Sequence, residues 1–435
     1  MPNTTTTTTT TSATTTTSTT TNTTRASAST TNANKKNRGQ FYTTNSAYIL
    51  DGFPAPPSDV ARIVEPFAGK GDLIDWINNN RASADNPPNN DGSSKGSKSK
   101  GSKSAGSMIK KTEIEIEAYD IEPKRDGIQK RDTLANPPDY SDAWVITNPP
   151  YLARNKSAKD KKSVYELYGM NDLYKCFIMS VVNPPQPQQA PCRGGIFIVP
   201  AGFFFSPRTM DARCRGEFMR KYRITKVRYF EEAVFDDTAT TIVAFSFERL
   251  SGPANAPSLT EQNVEWELMP SGVRKTFNVC AANDWIIGGD IYNLDIGGDA
   301  AAPVSVCRHV EGNALRADEQ QTNMTLNALD SGTSAGSRIC LTYKKDHVYP
   351  AKDSSRTYAT FRVSGLAAAP LNEAEQMQLC DEFNELLEKK RADTWSLFLP
   401  QFRESKEYAR KRIPFELAYR IFMHLLIHRI LVQRR

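Results

Sequence analysis

The stretch Ala143-Trp144-Val145-Ile146-Thr147-Asn148-Pro149-Pro150-Tyr151 decides the fold that this sequence predicts. Its first five residues form a short apolar run, and the two prolines end that run abruptly. A run of this kind is typical of a strand buried on both faces in a parallel sheet. In open α/β sheets, ligand sites lie where the strands end at their carboxyl side. Asn148 therefore marks a candidate functional site.

Asn-Pro-Pro also occurs at Asn86, Asn136 and Asn183. Only the copy at Asn148 follows an apolar run and precedes an aromatic residue, so we expect the other three copies to be loops. The amide oxygen of Asn148 and the carbonyl oxygen of Pro149 are two acceptors on a backbone that the prolines stiffen.

Two convergent acceptors suit an exocyclic amino group, which has two N–H donors. Tyr151 adds a flat face on which a planar ring can stack. None of these groups titrates near neutral pH, so general-base catalysis is not indicated. The pattern favours a site that orients an amine nitrogen toward an electrophile, as in amine methylation.

A donor site for such a reaction is readable upstream. Residues 62–64 predict a short strand, followed by a turn with Gly69 and Gly71 and then a helix. Glycines at a strand-to-helix turn let a nucleoside-bearing ligand approach the backbone closely. A ribose-binding carboxylate is expected roughly 20 residues later, at the end of the next strand. Asp120 ends such a strand once residues 81–110, a polar segment interpreted as a disordered insertion, are set aside.

These motifs occur in an order that resembles γ-class DNA adenine-N6 methyltransferases of restriction–modification systems. The resemblance implies a Rossmann-like class I methyltransferase fold of the α/β class, with a mixed seven-stranded sheet and a C-terminal α+β target-recognition region. It implies a catalytic domain over residues 39–250 and target recognition over residues 251–435. It also implies S-adenosylmethionine as the methyl donor, with the ribose held by Asp120 and the adenine contacted by Asp132.

The resemblance assigns site residues one by one. A segment before the glycine turn is similar to the family's first donor motif, and Phe235 is similar to the aromatic residue that stacks on a flipped base. No metal is implied for the transfer. The catalytic residues are Asn148, Pro149, Pro150, Tyr151 and Phe235. The donor-binding residues are Phe41, Tyr42, Thr43, Glu65, Phe67, Ala68, Gly69, Gly71, Asp120, Ile121, Asp132, Thr133 and Asn148.

Other readings of the same residues stay open. Asn-Pro-Pro-Tyr also occurs in enzymes that methylate structured RNA or a glutamine of release factors. A DNA-binding relative without activity is a third alternative. The first donor motif and the long C-terminal region favour double-stranded DNA as the partner, with a monomeric enzyme and a cognate restriction endonuclease as further expectations.

The rest of the sequence bears on disorder, cellular compartment and charge. Residues 1–38 are rich in threonine and predict a disordered tail, with organelle targeting as an alternative. The seven cysteines lack paired C-x-x-C spacing, which argues against a zinc site and for a reducing intracellular compartment, cytoplasm or nucleus. No apolar run has the roughly 18 residues that span a membrane. The formal net charge is +6, and basic residues are concentrated after Gln401, which suits contact with phosphates.

Overall fold

A computed structural model describes most of the chain from Thr43 onward. The described residues are 43, 45–85, 114–158, 162–184, 190–235, 240–251, 259–297, 304–310, 312, 314–330, 338–346, 357–365, 370–402 and 410–433. The predicted tail, together with Phe41 and Tyr42 of the first donor motif, lies outside these residues.

A large mixed sheet of nine strands forms the first part of the molecule. The strands are β1 (Arg62–Glu65), β2 (Glu115–Asp120), β3 (Gln129–Lys130), β4 (Trp144–Thr147), β5 (Gly194–Pro200), β6 (Tyr222–Phe230), β7 (Ile242–Arg249), β8 (Glu261–Met269) and β9 (Val273–Cys280). Their order across the sheet is β3-β2-β1-β4-β5-β7-β6-β8-β9. The predicted mixed α/β class is therefore confirmed.

The direction of the strands divides the sheet in two. The five neighbouring strands β3, β2, β1, β4 and β5 are parallel. Strand β7 lies between β5 and β6 and is antiparallel to both. The expected number of seven strands is too low, because β8 adds parallel to β6 and β9 adds antiparallel to β8. Both added strands lie beyond residue 250. They cover the edge of β6, and alternate residues of β8, including Val264 and Trp266, are buried.

Strand β4 has the burial that its apolar run predicts, since all four of its residues are buried. It pairs with β1 on one side, with Ile63 opposite Trp144, and with β5 on the other. From β1 the chain adds β2 and then β3 on one side, and it then returns past β1 to form β4 on the other side. The strand order therefore reverses between β1 and β4. Ligands of open α/β sheets bind at such a reversal of strand order, beyond the carboxyl ends of the strands.

Six helices pack with this sheet or connect its strands. They are α1 (Ser46–Leu50), α2 (Asp72–Asp85), α3 (Lys162–Tyr168), α4 (Leu173–Val182), α5 (Gly202–Phe205) and α6 (Thr209–Met219). Helix α4 is buried along its whole length, including the side chain of Lys175. Helix α2 continues to Asp85, so its end overlaps the start of the predicted insertion, and residues 86–113 lie outside the described residues.

The C-terminal region is an α+β module with its own hydrophobic core. Its strands are β10 (Ser305–Arg308), β11 (Glu319–Asn327), β12 (Leu329–Asp330), β13 (Cys340–Tyr343), β14 (Tyr358–Ser364), β15 (Gln401–Phe402) and β16 (Arg410–Arg412), and its helices are α7 (Glu373–Thr394) and α8 (Phe415–Gln433). One antiparallel sheet has the order β10-β14-β11-β13, and a small sheet has the order β12-β16-β15. Helix α7 begins with a capping box between Asn372 and Glu375.

Within the described part of the chain, no helix is long and apolar enough to cross a membrane. The same residues contain no group of three or more His, Cys, Asp or Glu side chains that could hold a metal ion. All seven cysteines are free thiols.

The close approach of β4 and β5 gives a stability prediction. A Cβ at Gly195 would lie 1.8 Å from the carbonyl oxygen of Val145, whereas a Cβ at Gly216 in α6 would meet no atom within 4 Å. Gly195→Ala should lower the unfolding free energy by about 3 kcal/mol through overpacking. The control Gly216→Ala should raise it by about 0.5–1 kcal/mol, because alanine loses less backbone entropy in a helix. Urea titration of both variants tests this, and a similar effect of both would contradict it.

Candidate functional site

Two turns meet at the carboxyl ends of β1 and β4. The first turn starts at Glu65, the last residue of β1, and the second starts after Thr147, the last residue of β4. The Thr147 hydroxyl donates a hydrogen bond of 2.6 Å to Oε1 of Glu65. Both residues are completely buried. This bond fixes the start of the Asn-Pro-Pro-Tyr segment relative to the glycine turn.

The glycine turn requires glycine at two positions. Gly69 has φ 55° and Gly71 has φ 89°, which is the left-handed region that residues with a Cβ rarely adopt. A Cβ at Gly71 would also lie 2.8 Å from a guanidinium nitrogen of Arg125. Helix α2 begins directly after the turn at Asp72. The local conformation therefore matches the sequence prediction of a tight strand-to-helix turn.

The carboxylate of Asp120 closes this turn from the end of β2. Its Oδ2 accepts a 2.9 Å hydrogen bond from the Gly69 N–H, and its Oδ1 accepts a 2.7 Å bond from the Glu122 N–H. Asp120 is 6% exposed. A carboxylate has about four lone-pair positions, so both oxygens retain acceptor capacity for ligand hydroxyls. Asp120 thus has a structural role in addition to the predicted ligand contact.

The other residues predicted to contact the methyl donor lie near the ends of β2 and β3. Ile121 is 39% exposed, so its aliphatic side chain is accessible from solvent. Asp132 is exposed, and its Oδ1 accepts hydrogen bonds from the Leu134 and Ala135 N–H groups at 3.2 and 3.1 Å. The Thr133 hydroxyl donates to the carbonyl oxygen of Pro66 at 3.0 Å, which joins this segment to the glycine turn.

Glu65 is the most perturbed acid of the site. Its Oε1 accepts hydrogen bonds from Thr147 and from the Phe67 N–H, whereas its buried Oε2 has no partner among the described residues. Burial raises the pKa of this carboxyl to about 8, and the nearby charge of Asp120 acts in the same direction. A largely protonated carboxyl with one unsatisfied oxygen is therefore present at the centre of the site near neutral pH.

Asn148 is held by residues that are distant in sequence. It is 7% exposed, and its Nδ2 donates a 3.1 Å hydrogen bond to the hydroxyl of Thr43, itself 5% exposed. Its Oδ1 accepts a hydrogen bond from the Tyr151 hydroxyl. The structure thus brings the described part of the first donor motif, Thr43, directly to Asn148.

Tyr151 differs from the accessible stacking platform that the sequence predicted. Its side chain is 8% exposed and packs edge-on against Tyr174, with ring centroids 6.3 Å apart. Its hydroxyl lies 2.9 Å from the carbonyl oxygen of Ile198, in addition to its contact with Asn148. The ring is buried because its hydroxyl contacts Asn148 and Ile198 and its edge packs against Tyr174.

Phe235 is also buried, with 4% of its surface exposed, and it belongs to the main hydrophobic core. The prediction of a ring face open to a base therefore does not match the described position, because packing in the core covers it. Residues 236–239 of the same motif lie outside the described residues.

A buried charged cluster behind the Asn-Pro-Pro-Tyr segment was missed by sequence reasoning. Lys175 of α4 forms an ion pair with Asp211 of α6, and both side chains are at most 7% exposed. The Lys175 ammonium also donates to Asn171 Oδ1 at 2.9 Å. Burial raises the pKa of Asp172 to about 6, against the opposing effect of Lys175. The available signal was a lysine within the otherwise apolar run of α4.

Asp172 also anchors the chain that follows Tyr151. A backbone bridge joins it to Ala153, and the Leu173 N–H donates to the carbonyl oxygen of Leu152 at 3.2 Å. The start of α4 therefore holds the chain that follows the Asn-Pro-Pro-Tyr segment.

Several C-terminal cations proposed for phosphate contact are engaged within the molecule. Lys411 donates to Glu231 Oε1 at 3.3 Å, Arg420 to the Leu294 carbonyl oxygen at 2.8 Å, and the Arg412 guanidinium lies 5.6 Å from the Phe415 ring centroid. The sequence also has a basic and aromatic stretch between Lys344 and Tyr358 that could contact phosphates and bases, but residues 347–356 lie outside the described part of the chain.

No protein-family model matches this chain. No curated protein matches it either.

Several solved structures are similar at low identity. The modification subunit provisionally assigned to a type I restriction enzyme of Vibrio vulnificus YJ016 is 14% identical, with a TM-score of 0.34 over 58% of this chain and 52% of that one. A type I restriction–modification methyltransferase subunit from Streptococcus thermophilus is 12% identical, with a TM-score of 0.32 over 53% and 47%. This chain spans about half the length of both proteins. A TM-score below 0.5 does not establish a common fold.

The buried carboxyl of Glu65 predicts a pH-dependent stability. Its pKa is about 8 in the folded chain against an ordinary value of 4.5, so the folded state binds the extra proton between these values. Stability from this group is then complete below about pH 4.5 and is lost as the pH rises toward 8. Glu65→Gln should remove this loss, so that the variant gains melting temperature relative to wild type between pH 5 and pH 8.

The control for this measurement is Glu115→Gln, which changes an exposed carboxyl on β2. It should leave the pH dependence of the melting temperature unchanged. Equal pH profiles for wild type and Glu65→Gln would show that the carboxyl is already ionised in the folded protein.

Proposed function

We propose that this chain transfers a methyl group from S-adenosylmethionine to the N6 amino group of adenine in duplex DNA. The observation that carries the proposal is the position of Asn148. It follows β4 at the strand-order reversal, bonds to Thr43, and is joined through Thr147 to the glycine turn. The antiparallel β7 between β5 and β6 supports a Rossmann-like methyltransferase sheet.

The residues around the glycine turn fit a nucleoside-bearing donor. Asp120 offers acceptors for ribose hydroxyls, the exposed Ile121 offers an apolar face for adenine, and Asp132 offers a carboxylate at the same edge. In the protonated carboxyl of Glu65, Oε1 accepts two hydrogen bonds, so Oε2 carries the hydrogen and can donate to an acceptor of the ligand. When bound, S-adenosylmethionine supplies an electrophilic methyl group.

The Asn-Pro-Pro-Tyr segment positions the amine. Asn148 Oδ1 and the Pro149 carbonyl oxygen accept the two N–H groups of an exocyclic amine, which leaves the nitrogen lone pair directed away from both acceptors. This arrangement accelerates transfer through orientation and electrostatics rather than through general-base catalysis.

In the described conformation, Asn148 Oδ1 is engaged by Tyr151. A tyrosine hydroxyl has one hydrogen, so it donates to one acceptor at a time. The Ile198 carbonyl oxygen, 2.9 Å from the same hydroxyl, is a ready second acceptor. Burial raises the pKa of Tyr151 well above its ordinary value of 10.0, so the hydroxyl stays a donor. On substrate binding, Tyr151 passes its hydrogen bond to Ile198 and frees Asn148 Oδ1 for the amine.

A base within a stacked duplex is out of reach, so the adenine is flipped out at a cost of a few kcal/mol. Stacking on Tyr151 and Phe235 offsets part of that cost, at roughly 1–3 kcal/mol per base. Both rings are almost fully buried in the described conformation, so this contact requires a local rearrangement of the side chains around them. Base binding is thereby coupled to a local rearrangement at these two positions.

The first test is methyl transfer from labelled S-adenosylmethionine to duplex DNA, with structured RNA and a release-factor peptide in parallel. Asn148→Ala should lower transfer to adenine by about 100-fold or more, because the amine loses one of its two acceptors. Donor binding, measured by calorimetry, should persist. The control Asn183→Ala changes another Asn-Pro-Pro copy, at an exposed position after α4, and should retain activity.

Label in RNA or in the peptide would keep the methyltransferase proposal and replace its substrate. Loss of donor binding in Asn148→Ala would remove Asn148 from the amine side. Donor binding without transfer to any substrate would indicate an inactive relative.

Tyr151→Phe separates the ring from the hydroxyl. It retains the stacking face and removes one hydrogen bond to Asn148, so transfer should fall by no more than about tenfold. Tyr151→Ala removes the ring as well and should lower the rate of methyl transfer substantially further. Single-turnover rates of both variants test this order, and a Tyr151→Phe protein as inactive as Asn148→Ala would give the hydroxyl an essential role instead.

A further inference from the structure

Helix α1 lies between the first donor motif and β1, and its own sequence gives it little stability. It has five residues, and within the described part of the chain its N-cap residue, Asn45, makes no side-chain capping bond. An isolated helix of this length is unstable in water, so the position of α1 depends on tertiary contacts. Ile49 and Leu50 are completely buried and pack one face of the helix against the core. The carbonyl oxygens at its end need partners of another kind.

Two cations of β6 provide these partners. The Arg228 guanidinium donates through Nη1 to the carbonyl oxygen of Tyr48 at 2.8 Å. The Lys226 ammonium donates to the carbonyl oxygen of Gly52, just after the helix, at 2.9 Å. The Tyr48 hydroxyl adds a hydrogen bond to Glu232, which follows β6. The C-terminal end of α1 is therefore held by polar contacts with β6 and the residues next to it.

Arg228 is itself held by Glu267 of β8. Both side chains are buried, and Nε and Nη2 of Arg228 each lie 2.8 Å from Oε2 of Glu267. Oε1 of the same carboxylate accepts a hydrogen bond from Arg274 of β9 at 3.0 Å. A guanidinium carries five N–H donors in a rigid fork, so one arginine can bind a carboxylate and a backbone carbonyl at the same time. Arg228 thus connects the β8–β9 hairpin to α1.

The other end of α1 leads to Thr43, which contacts Asn148. Thr43 is buried, and its hydroxyl accepts a 3.1 Å hydrogen bond from Asn148 Nδ2. Two residues of chain link Thr43 to the N-cap residue Asn45, a span of at most about 7 Å. A shift of α1 therefore moves Thr43. The bond to Nδ2 also fixes which way the Asn148 amide faces, and so where its Oδ1 points.

We propose that Arg228 is a positioning residue for methyl transfer: paired with Glu267, it holds α1 so that Thr43 stays against Asn148. The effect on transfer rests on the proposed function, whereas the coupling between these positions does not. The β8–β9 hairpin, which lies in the region predicted to recognise the target, thereby becomes part of the catalytic unit.

The alternative is that the ion pair only joins β6 to β8. These strands already pair along a parallel ladder from Lys226 to Phe230, and a buried ion pair adds little net stability because desolvation offsets its attraction. The bond from Arg228 to the Tyr48 carbonyl oxygen leaves the sheet, so joining two strands does not account for it.

A double-mutant cycle in the full chain tests the coupling without reference to activity. Glu267→Gln removes the charge that fixes Arg228, and Thr43→Val removes the hydroxyl. If α1 couples the two positions, the double variant should lose less unfolding free energy in urea than the sum of the single losses. Glu265→Gln changes an exposed carboxyl of the same strand and should be additive with Thr43→Val. Should Glu267→Gln not fold, Arg228→Lys takes its place, and additive losses would overturn the inference.

Single-turnover rates at saturating donor and duplex DNA test the effect on transfer. Arg228→Lys keeps the charge but loses the planar fork, so the rate should fall by about tenfold while the dissociation constant for DNA stays the same. In a Thr43→Val background the same change should alter the rate by less than about twofold. An equal loss in both backgrounds would overturn the positioning role. If the wild type transfers no methyl group to DNA, RNA or peptide, the proposed function fails, and the urea cycle alone decides whether Arg228 acts on Thr43.

Discussion

The hydrogen bond from the Thr147 hydroxyl to the buried carboxyl of Glu65 joins the ends of two neighbouring parallel strands, and the geometry of the candidate site depends on it. It is possible because β1 and β4 lie side by side at the point where the strand order reverses. On one side of the bond the chain enters the glycine turn that Asp120 closes. On the other side it enters the Asn-Pro-Pro-Tyr segment. Donor and acceptor halves of the proposed reaction are thus fixed relative to each other by one buried contact.

This arrangement places ionisable groups where water is excluded. Burial raises the pKa of Glu65 to about 8, and the buried ion pair of Lys175 with Asp211 joins α4 to α6. Buried ion pairs contribute little net stability, because desolvation offsets their attraction. Their value here is positional, since they join α4 and α6 beneath the loop that carries Asn148.

The described conformation of Asn148 and Tyr151 is closed. Each satisfies the other, and the aromatic ring is covered by Tyr174. Closure has a physical reason, because an unpaired amide oxygen and an unpaired phenol in a nearly dry pocket would each cost free energy. The Ile198 carbonyl gives the Tyr151 hydroxyl an alternative acceptor at normal distance, so the amide oxygen can be released without leaving the phenol unsatisfied.

Much of the fold was readable from local sequence. The apolar run before Asn148 predicted a buried parallel strand, and Gly69 and Gly71 predicted a turn between a strand and a helix; both are confirmed. These features are local, because strand burial and backbone conformation leave their mark in adjacent residues. The two added strands, β8 and β9, were not foreseen as parts of the main sheet, since an edge strand takes its partner from tertiary contacts.

What the sequence by itself determined is the identity and order of the chemical groups: the glycine turn, the acids at the strand ends, and an asparagine held by two prolines. The tertiary structure decided how exposed these groups are, which partners they bond to and, for Glu65, the pKa. It buried Tyr151 and Phe235, brought Thr43 to Asn148 across 105 residues of sequence, and raised the pKa of Glu65. Exposure, hydrogen-bond partners and desolvation depend on atoms that are distant along the chain. No local pattern of residues encodes them.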